Sequence, residues 1–451
     1  MSFPSDFIWG AATASYQIEG AAYADGKGLG IWDVFCKRDN TIWNQHNGDV
    51  ACDHYHRYCE DVELMRSIGL GAYRLEVSWP RILPEGKGRV NQKGLEFYDR
   101  LIDKLLEKEI TPWVTLYHWN LPQELQIRGG WQNPDSSHWF SEFVTVVVDR
   151  LSDRVQNWMT INEPQVIIGN GHLNGKNAPG LQLSMSEALQ AGHNVLLAHG
   201  RAVSVIRDRA KTSSSIGFAP CGLIRCPQSN KKEDVEAAKK ATFSVEPDSV
   251  WNSAWWMDPV YLGRYPSEAL EMYGNAAPDI KPGDMELISQ KLDFFGANIY
   301  TSINVQADES GKPQIVPHKP GYNMSTYDWA VVPDLLYWAG EFFYQRYKLP
   351  IVITENGTSM SDIISRDGKV HDPQREEFIA VYLSSMKKAI KAGIPYTGYF
   401  YWSLLDNFEW QWGYKHRFGL VHVDFSTGKR TLKDSAHYYR DIIKSNGKDL
   451  E

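Results

Sequence analysis

The stretch Asn157-Trp158-Met159-Thr160-Ile161-Asn162-Glu163-Pro164 is a short β-rich run that ends in polar residues. Short apolar runs of this kind are typical of buried strands. Seven further runs share this character, and long amphipathic stretches separate them. The other predicted strands are Asp6–Ser15, Gly71–Val77, Thr111–Trp119, Ser215–Cys221, Asp293–Ser302, Pro350–Gly357 and Tyr396–Asn407. This alternation indicates βα units and a parallel sheet.

The intervening stretches show helical periodicity. In Asn91–Glu109 the apolar residues recur at spacings of three and four. Ser184-Met185-Ser186-Glu187 has the pattern of a capping box, and Gly393 follows the last long helical stretch as a C-terminal cap. The other predicted helices are Asp53–Ile68, Trp139–Arg154, Glu187–Arg209, Asp334–Tyr347 and Arg375–Ala392.

Eight strands with intervening helices predict an α/β fold, a single (β/α)8 TIM barrel with extended loops at the C-terminal face of the strands. An open doubly wound sheet is the alternative. That fold usually carries a Gly-rich phosphate turn, and Gly26-Lys27-Gly28-Leu29-Gly30 has the wrong spacing and no helix after it. No linker or repeat interrupts the 451 residues, so we expect one domain over residues 1–451.

Composition excludes several classes of function. The net charge of −8 argues against a protein that binds the phosphate backbone of nucleic acids. No apolar run approaches the roughly 18 residues that a membrane span needs, and the sequence shows no signal segment. The odd count of five cysteines has no framework spacing, so a reduced, cytoplasmic protein is expected.

One cluster of potential metal ligands occurs near the start of a predicted helix. It consists of Cys52, His54, His56 and Cys59. These spacings cannot place all four side chains on one helix face, and they do not match a zinc site. We therefore expect neither a metal nor a cofactor.

Polar and aromatic residues gather where the predicted strands end. Active sites of barrels lie at the C-terminal mouth of the strands, so these residues predict one pocket. Aromatic residues make up 13% of the chain, and such rings either fill a core or stack on sugars. The residues at or after the strand ends are Gln17, His118, Asn162, Glu163, Asn298, Tyr300, Glu355, Trp402, Glu409 and Trp410.

Two of these strand-end residues are glutamates, Glu163 and Glu355. Unpaired buried carboxylates are costly, so a pair of them in one pocket favours a chemical role. Hydrolysis of a glycosidic bond uses two carboxyls in different protonation states. The carboxyls lie roughly 5–5.5 Å apart in enzymes that retain the anomeric configuration and roughly 6.5–9.5 Å apart in those that invert it.

Six stretches in order, each at a strand end, resemble the motifs of glycoside hydrolase family 1. The resemblance covers essentially the whole chain. The stretches are Phe7-Ile8-Trp9-Gly10-Ala11-Ala12-Thr13-Ala14-Ser15-Tyr16-Gln17-Ile18-Glu19-Gly20, Leu116-Tyr117-His118-Trp119, Thr160-Ile161-Asn162-Glu163-Pro164, Asn298-Ile299-Tyr300, Ile353-Thr354-Glu355-Asn356-Gly357 and Tyr401-Trp402-Ser403-Leu404-Leu405-Asp406-Asn407-Phe408-Glu409-Trp410.

The resemblance implies a retaining β-glucosidase that works through a covalent glycosyl-enzyme. Glu163 would be the general acid/base and Glu355 the nucleophile, with Arg74 and Tyr300 holding Glu355 ionised. Repulsion from an ionised Glu355 would raise the pKa of Glu163. The substrate would be a small β-glucoside or a cello-oligosaccharide, with side activity on β-galactosides and β-fucosides.

The resemblance also assigns residues to the substrate. Asn162 would bind the sugar 2-hydroxyl, and Trp402 would stack on the ring. Glu409 in place of a small neutral residue favours a sugar without a 6-phosphate, because a carboxylate repels phosphate. The further substrate residues implied are Gln17, His118, Asn298, Tyr300, Trp410 and Phe418, with Trp329 on the aglycone side.

Some positions depart from the family pattern: Glu76, Asn120, Gln165, Asn177 and Asn194. We expect Gln165, His172 and Asn177 near the entrance, where they would alter the aglycone preference, and we place Glu76 on the strand face opposite to Arg74.

Two other functions are alternatives on the same barrel. Loss of either glutamate would favour a non-catalytic glycoside-binding protein, but both glutamates are present. A transglycosylase stays open as an alternative, as does the choice between a monomer and a homo-oligomer.

Overall fold

The computed structural model describes residues 2–450, and its centre is an eight-stranded parallel sheet that curls into a barrel. The thirteen strands within these residues are β1 Ile8–Ala12, β2 Ala72–Glu76, β3 Thr111–Thr115, β4 Asn157–Asn162, β5 Ser215–Ala219, β6 Ile224–Pro227, β7 Phe295–Asn298, β8 Ser302–Ala307, β9 Pro313–Val316, β10 Ile351–Asn356, β11 Tyr396–Trp402, β12 Val421–Val423 and β13 Arg430–Leu432. The order in the barrel is β5-β4-β3-β2-β1-β11-β10-β7. All eight predicted strands and the (β/α)8 fold are confirmed.

The barrel closes between β5 and β7 through a few backbone hydrogen bonds rather than a full ladder. Near the bottom, Asp293 N–H donates to the carbonyl of Ile216 at 2.9 Å. At the top, Asn298 N–H donates to Pro220 and Gly222 N–H donates to Asn298, at 3.0 and 2.8 Å. The segment after β5 is therefore tied to the end of β7.

The helices lie between the strands, as the periodicity predicts. The six long predicted helices are confirmed, and Ser184 and Glu187 form the predicted capping box. Gly393 follows the last of these long helices, Pro373–Lys391, with a left-handed φ of 94°. The α-helices are α1 Ser15–Ile18, α2 Ile31–Phe35, α3 His54–Ile68, α4 Trp79–Ile82, α5 Gln92–Glu107, α6 Gln123–Ile127, α7 Ser136–Leu151, α8 Pro164–Ile168, α9 Met185–Arg209, α10 Lys232–Phe243, α11 Ala254–Leu262, α12 Ser267–Tyr273, α13 Asp284–Ile288, α14 Leu335–Tyr347, α15 Pro373–Lys391 and α16 Asp434–Ser445.

Aromatic rings fill the lower barrel and glycines make room for them. The ring of Trp113 lies 5.3 Å from that of Phe294 and 5.1 Å from that of Phe400. A Cβ on Gly10 would approach Phe400 to 2.5 Å, and one on Gly217 would approach Phe294 to 2.2 Å. Because interiors are close-packed, the two glycines are needed for this arrangement. A larger residue at either position would displace these rings below the site.

The extended loops lie at the C-terminal face, as predicted. The β6-β8-β9 sheet uses strands that directly follow β5 and β7, and the β12–β13 hairpin follows β11. Within residues 2–450 no helix has both the length and the apolar character needed to cross a membrane.

Candidate active site

A cavity of about 360 Å³ opens where the barrel strands end. Ten predicted site residues line it: His118, Glu163, Asn298, Tyr300, Trp329, Glu355, Trp402, Glu409, Trp410 and Phe418. The other three, Gln17, Arg74 and Asn162, are fully buried and hydrogen-bond to residues of the cavity wall. Strands far apart in the chain thus bring the predicted residues together.

Glu355, near the end of β10, is held by a cation and a phenol. Arg74 Nη1 donates to its Oε1 at 2.6 Å, and the Tyr300 hydroxyl donates to its Oε2 at 2.6 Å. Arg74 is itself fixed, since its Nε donates to Thr115 and its Nη2 donates to Asn162, at 3.0 and 2.6 Å. These contacts favour the ionised form of Glu355.

Glu163 directly follows β4 and has different partners. Its backbone lies in the left-handed region with a φ of 46°, and Pro164 begins α8 immediately after it. Asn298 Nδ2 donates to Oε1 of Glu163 at 2.8 Å, and Cys221 lines the same cavity. Within residues 2–450 no Lys or Arg forms an ion pair with Glu163. Non-glycine residues with positive φ are uncommon and often mark functional sites.

The two carboxyls therefore differ in their affinity for a proton. Burial raises the pKa of Glu163 to about 8, with repulsion from Glu355 as the second cause. Burial also raises the pKa of Glu355, but Arg74 and Tyr300 oppose that rise. Repulsion from Glu355 does act on Glu163 as expected from the sequence, but burial is the larger cause. Glu163 keeps its proton to a higher pH than Glu355.

The floor of the cavity presents polar atoms without a protein partner. Asn162 Oδ1 accepts bonds from Arg74 and Asn298, so its Nδ2 donates to Nε2 of His118 at 3.1 Å. Burial lowers the pKa of His118, and the neutral ring must then carry its proton on Nδ1. In the described part of the chain Nδ1 of His118 and Oε1 of Gln17 have no partner. Such buried atoms can bind sugar hydroxyls.

A third buried carboxyl, Glu409, lies beside this floor. Gln17 Nε2 donates to Asn407 at 2.9 Å and to the carbonyl of Phe408 at 2.8 Å, and it reaches Glu409 at 3.4 Å. Burial raises the pKa of Glu409 to about 8, with repulsion from Glu355 next in size. A carboxyl in this position can exchange hydrogen bonds with two hydroxyls of one sugar.

Aromatic rings form the walls around these polar groups. The ring of His118 lies 5.7 Å from Trp402 and 5.7 Å from Trp410, with angles below 30°. On the outer side, Trp329 lies 5.0 Å from the ring of Tyr300 and 6.1 Å from that of Phe418. Flat rings beside paired polar groups match the two faces of a pyranose.

Comparison with known proteins agrees with this geometry. The model of glycosyl hydrolase family 1 matches residues 1–448. The chain belongs to this family. Beta-glucosidase A of Thermotoga maritima is 45% identical over 99% of this chain and 98% of its own length. The 1,4-beta-D-glucan glucohydrolase of Thermotoga neapolitana is 44% identical, with 99% of both chains covered. The Thermotoga maritima beta-glucosidase solved in complex with glucoimidazole has a TM-score of 0.90 at 45% identity and 99% coverage of both chains.

The cavity of this family 1 protein also includes residues that the sequence analysis did not single out. Leu223, Trp251 and Tyr327 line it, and so does Cys221. Cys221 ends the fifth predicted strand, so its position at a strand end could have predicted it, as it did the other site residues. Trp251 follows α10 in a long loop, and no local sequence signal separates it from a core tryptophan.

The departures from the family pattern fall in different places. Asn177 lines the cavity as expected, but Gln165 and His172 are buried and do not. The expectation that Gln165 lies at the entrance is therefore wrong. Its Nε2 donates to the carbonyls of Cys221 and Asn252, and its Oε1 accepts from the N–H of Cys221.

The placement of Glu76 on the face opposite to Arg74 is also wrong, because residues two apart on a strand share a face. Glu76 is buried, and it accepts hydrogen bonds from the N–H and hydroxyl of Ser15 and from the N–H of His118. It therefore ties the loop after β1 to the segment after β3 and does not pair with Arg74.

The cysteine and histidine cluster does not form a metal site. His54 bonds to Asp61 at 2.8 Å, Cys52 faces the carbonyl of Asp406 at 3.1 Å, and Cys59 is exposed. Across residues 2–450 no group of three or more His, Cys, Asp or Glu side chains is arranged to hold a metal ion.

Proposed function

We propose that this family 1 enzyme is a β-glucosidase that removes terminal non-reducing β-D-glucosyl residues and retains the anomeric configuration. The observation that carries the proposal is the unequal pair of buried carboxyls in one cavity. Glu355 has a cation and a phenol as partners, whereas Glu163 accepts a hydrogen bond from the amide of Asn298. One carboxyl is thus suited to attack and the other to give a proton.

The reaction proceeds in two displacements. The Glu355 carboxylate attacks the anomeric carbon and forms an ester bond, while Glu163 gives its proton to the leaving oxygen. In the ester Glu355 has no charge, so the repulsion that raises the pKa of Glu163 disappears. Glu163 then takes a proton from water, which attacks the same carbon and frees Glu355.

The family and a chain of side-chain hydrogen bonds between the two carboxyls support retention. Retention is what the resemblance to glycoside hydrolase family 1 implies, and the family model matches residues 1–448. Asn298 Nδ2 donates to Oε1 of Glu163 at 2.8 Å and to Oδ1 of Asn162 at 2.9 Å. The same oxygen of Asn162 accepts from Arg74, which also donates to Glu355. The retaining reaction needs both carboxyls beside one anomeric carbon, and both line this cavity.

The cavity favours an unphosphorylated glucoside. Gln17, His118, Asn162 and Glu409 supply hydrogen bonds for the sugar, and Trp402 supplies the stacking face. Among the described residues that line the cavity none is Lys or Arg, so a 6-phosphate would lack a counter-charge beside Glu409. The name of the Thermotoga neapolitana relative, a glucan glucohydrolase, supports short β-glucans as substrates and a part in cellulose breakdown.

The remaining assignments complete the proposal. The enzyme works on small molecules without nucleic acid, membrane, metal or cofactor, as one catalytic barrel domain that is monomeric or a homo-oligomer. Five free cysteines, four of them buried, support a reducing cytoplasm as its compartment.

The test is a panel of aryl β-glycosides together with cellobiose, compared by kcat/KM. Proton NMR of the same reactions identifies the anomer that forms first. We expect the β-glucosides to be the best of the panel and β-glucose to appear before mutarotation. Initial release of α-glucose would overturn retention, and a higher kcat/KM for another glycone would overturn the assignment to glucose.

A further inference from the structure

The loop between β11 and Glu409 contains a buried carboxyl, Asp406, that the proposed mechanism does not use. Asp406 is fully buried and does not line the cavity. Its neighbour Asn407 accepts a hydrogen bond from Gln17 at 2.9 Å, and Glu409 follows in the cavity wall. Asp406 therefore lies behind the part of the site that we assign to the sugar hydroxyls.

Three donors from two other segments converge on the Asp406 carboxylate. Arg417 Nη1 donates to Oδ2 at 2.6 Å, and Gly419 N–H donates to Oδ1 at 2.9 Å. Lys433 Nζ donates to the same Oδ1 at 2.7 Å. Arg417 and Gly419 flank Phe418, which lines the cavity. One carboxylate thus holds the segment around Phe418 against its own loop.

The backbone of the loop changes partners just after Asp406. The N–H of Asp406 donates to the carbonyl of Val421, in β12, at 2.9 Å. Further along the loop, the N–H of Phe408 donates to the carbonyl of Gln17 at 3.2 Å. Asp406 is therefore the junction between the part of the loop that follows β12 and the part that leads to Glu409.

Lys433 is the buried counter-ion of this junction. It is fully buried, and its ammonium also donates to Asp362, which accepts from Arg375 as well. Burial acts to raise the pKa of Asp406, but the charges of Lys433 and Arg417 outweigh it and hold that pKa below its ordinary value. Asp406 is therefore ionised at neutral pH, and loss of its charge would leave two cations without a partner on this loop.

From this arrangement we propose that Asp406 is a positioning residue that fixes Glu409 for its contact with the sugar. It acts through the two ion pairs of its carboxylate, with Lys433 and Arg417. The inference rests on the proposed role of Glu409 in binding sugar hydroxyls. A buried ion pair often stabilises a fold no more than apolar side chains of similar volume do. Its directed bonds can instead set the position of a loop.

A double-mutant cycle between Asp406 and Glu409 tests the proposal. Glu409→Ala should lower kcat/KM on p-nitrophenyl β-glucoside roughly 100-fold, because it removes hydrogen bonds to the sugar. Asp406→Asn should lower kcat/KM roughly tenfold when Glu409 is present, but less than about threefold in the Glu409→Ala background. An equal loss in both backgrounds would overturn the proposal, because a merely structural role is additive.

Asp258→Asn is the matched control for lost stability. Asp258 is a buried carboxyl that pairs with Arg346 and accepts from the Tyr347 hydroxyl at 2.9 Å, outside the cavity wall. Asp258→Asn and Asp406→Asn should both lower the Tm. At a temperature where both variants are folded, Asp258→Asn should keep kcat/KM within about twofold of wild type. A loss as large as that of Asp406→Asn would mean that destabilisation, rather than the position of Glu409, explains the effect.

Arg417→Met covers the case in which Asp406→Asn does not fold. Arg417 is partly exposed, so its replacement is milder, yet it removes the donor to Oδ2 of Asp406. Arg417→Met should lower kcat/KM roughly fivefold, and Arg417→Lys, which keeps the charge, should restore most of it. The loss should again shrink in the Glu409→Ala background. Wild-type kcat/KM in Arg417→Met would contradict the proposal.

The failure of this inference can be told apart from the failure of the proposed function. If Glu409→Ala keeps wild-type kcat/KM, the proposed role of Glu409 in binding the sugar is wrong. If Glu409→Ala is impaired while Asp406→Asn causes the same loss in both backgrounds, only the role of Asp406 is wrong.

Discussion

The ends of β4 and β10 place one glutamate each in the same cavity, yet the two surroundings differ. Both carboxyls are buried, so both lose hydration. At the end of β10 a fixed arginine and a phenol compensate for that loss. After β4 the carboxyl accepts a hydrogen bond from the amide of Asn298, and within residues 2–450 no Lys or Arg forms an ion pair with it.

This difference indicates that the partners of the two glutamates, rather than their burial, distinguish their proposed chemical roles. Desolvation acts on both glutamates in the same direction. Arg74 lies on β2 and donates to Glu355, near the end of β10, across the barrel interior. The barrel thus creates two protonation states from one residue type.

Removal of the β10 glutamate should have the largest effect. Glu355→Ala should lower kcat on aryl β-glucosides by a factor on the order of 10⁴ or more, because no other group can form the ester. Azide should restore turnover and give the α-glucosyl azide, since it enters from the vacated side. A β-glucosyl azide from this variant would mean that Glu355 is not the nucleophile.

Removal of the β4 glutamate should have an effect that depends on the leaving group. Glu163→Ala should lower kcat/KM by roughly 10³-fold for cellobiose but less than tenfold for 2,4-dinitrophenyl β-glucoside, which needs no proton. Here azide should give the β-glucosyl azide, because it attacks the glycosyl-enzyme. Equal losses on both substrates would count against the acid/base role.

A smaller effect should follow from removing one partner of Glu355. Tyr300→Phe deletes a hydrogen bond to a charged group and should lower kcat/KM roughly 10- to 100-fold. Tyr300 lowers the pKa of Glu355, so its loss should move the acid limb of kcat/KM to higher pH. Tyr265→Phe is the matched control, since that phenol bonds to His193 outside the cavity. An acid limb that does not move would mean that Tyr300 does not act through Glu355.

Much of this comparison was predictable from the sequence. The alternation of strands and helices predicted the barrel. Active sites of barrels lie at the C-terminal ends of the strands, which placed both glutamates and Tyr300 in one predicted pocket. The family resemblance predicted Arg74 as a partner of Glu355. The structure shows the contact, in which Arg74 on β2 donates to Glu355 on β10 across the barrel interior.

The packing around the β4 glutamate was not predictable. The left-handed turn at Glu163 leads into α8, and Gln165 of this helix contacts the segment after β5. That contact depends on how β4 and β5 pack and on the closure near Asn298, neither of which leaves a local sequence pattern. Trp251 was not predictable for a similar reason, because it lies on a long loop rather than at a strand end.

The assignment of opposite roles to the two glutamates has one direct test. The enzyme is incubated with a 2-deoxy-2-fluoro-β-glucoside that carries a good leaving group, which slows hydrolysis of the glycosyl-enzyme, and the labelled peptide is mapped by mass spectrometry. The proposed roles predict the fluoroglucosyl group on Glu355, within Ile353-Thr354-Glu355-Asn356-Gly357. A label on Glu163 or on any other residue would contradict them.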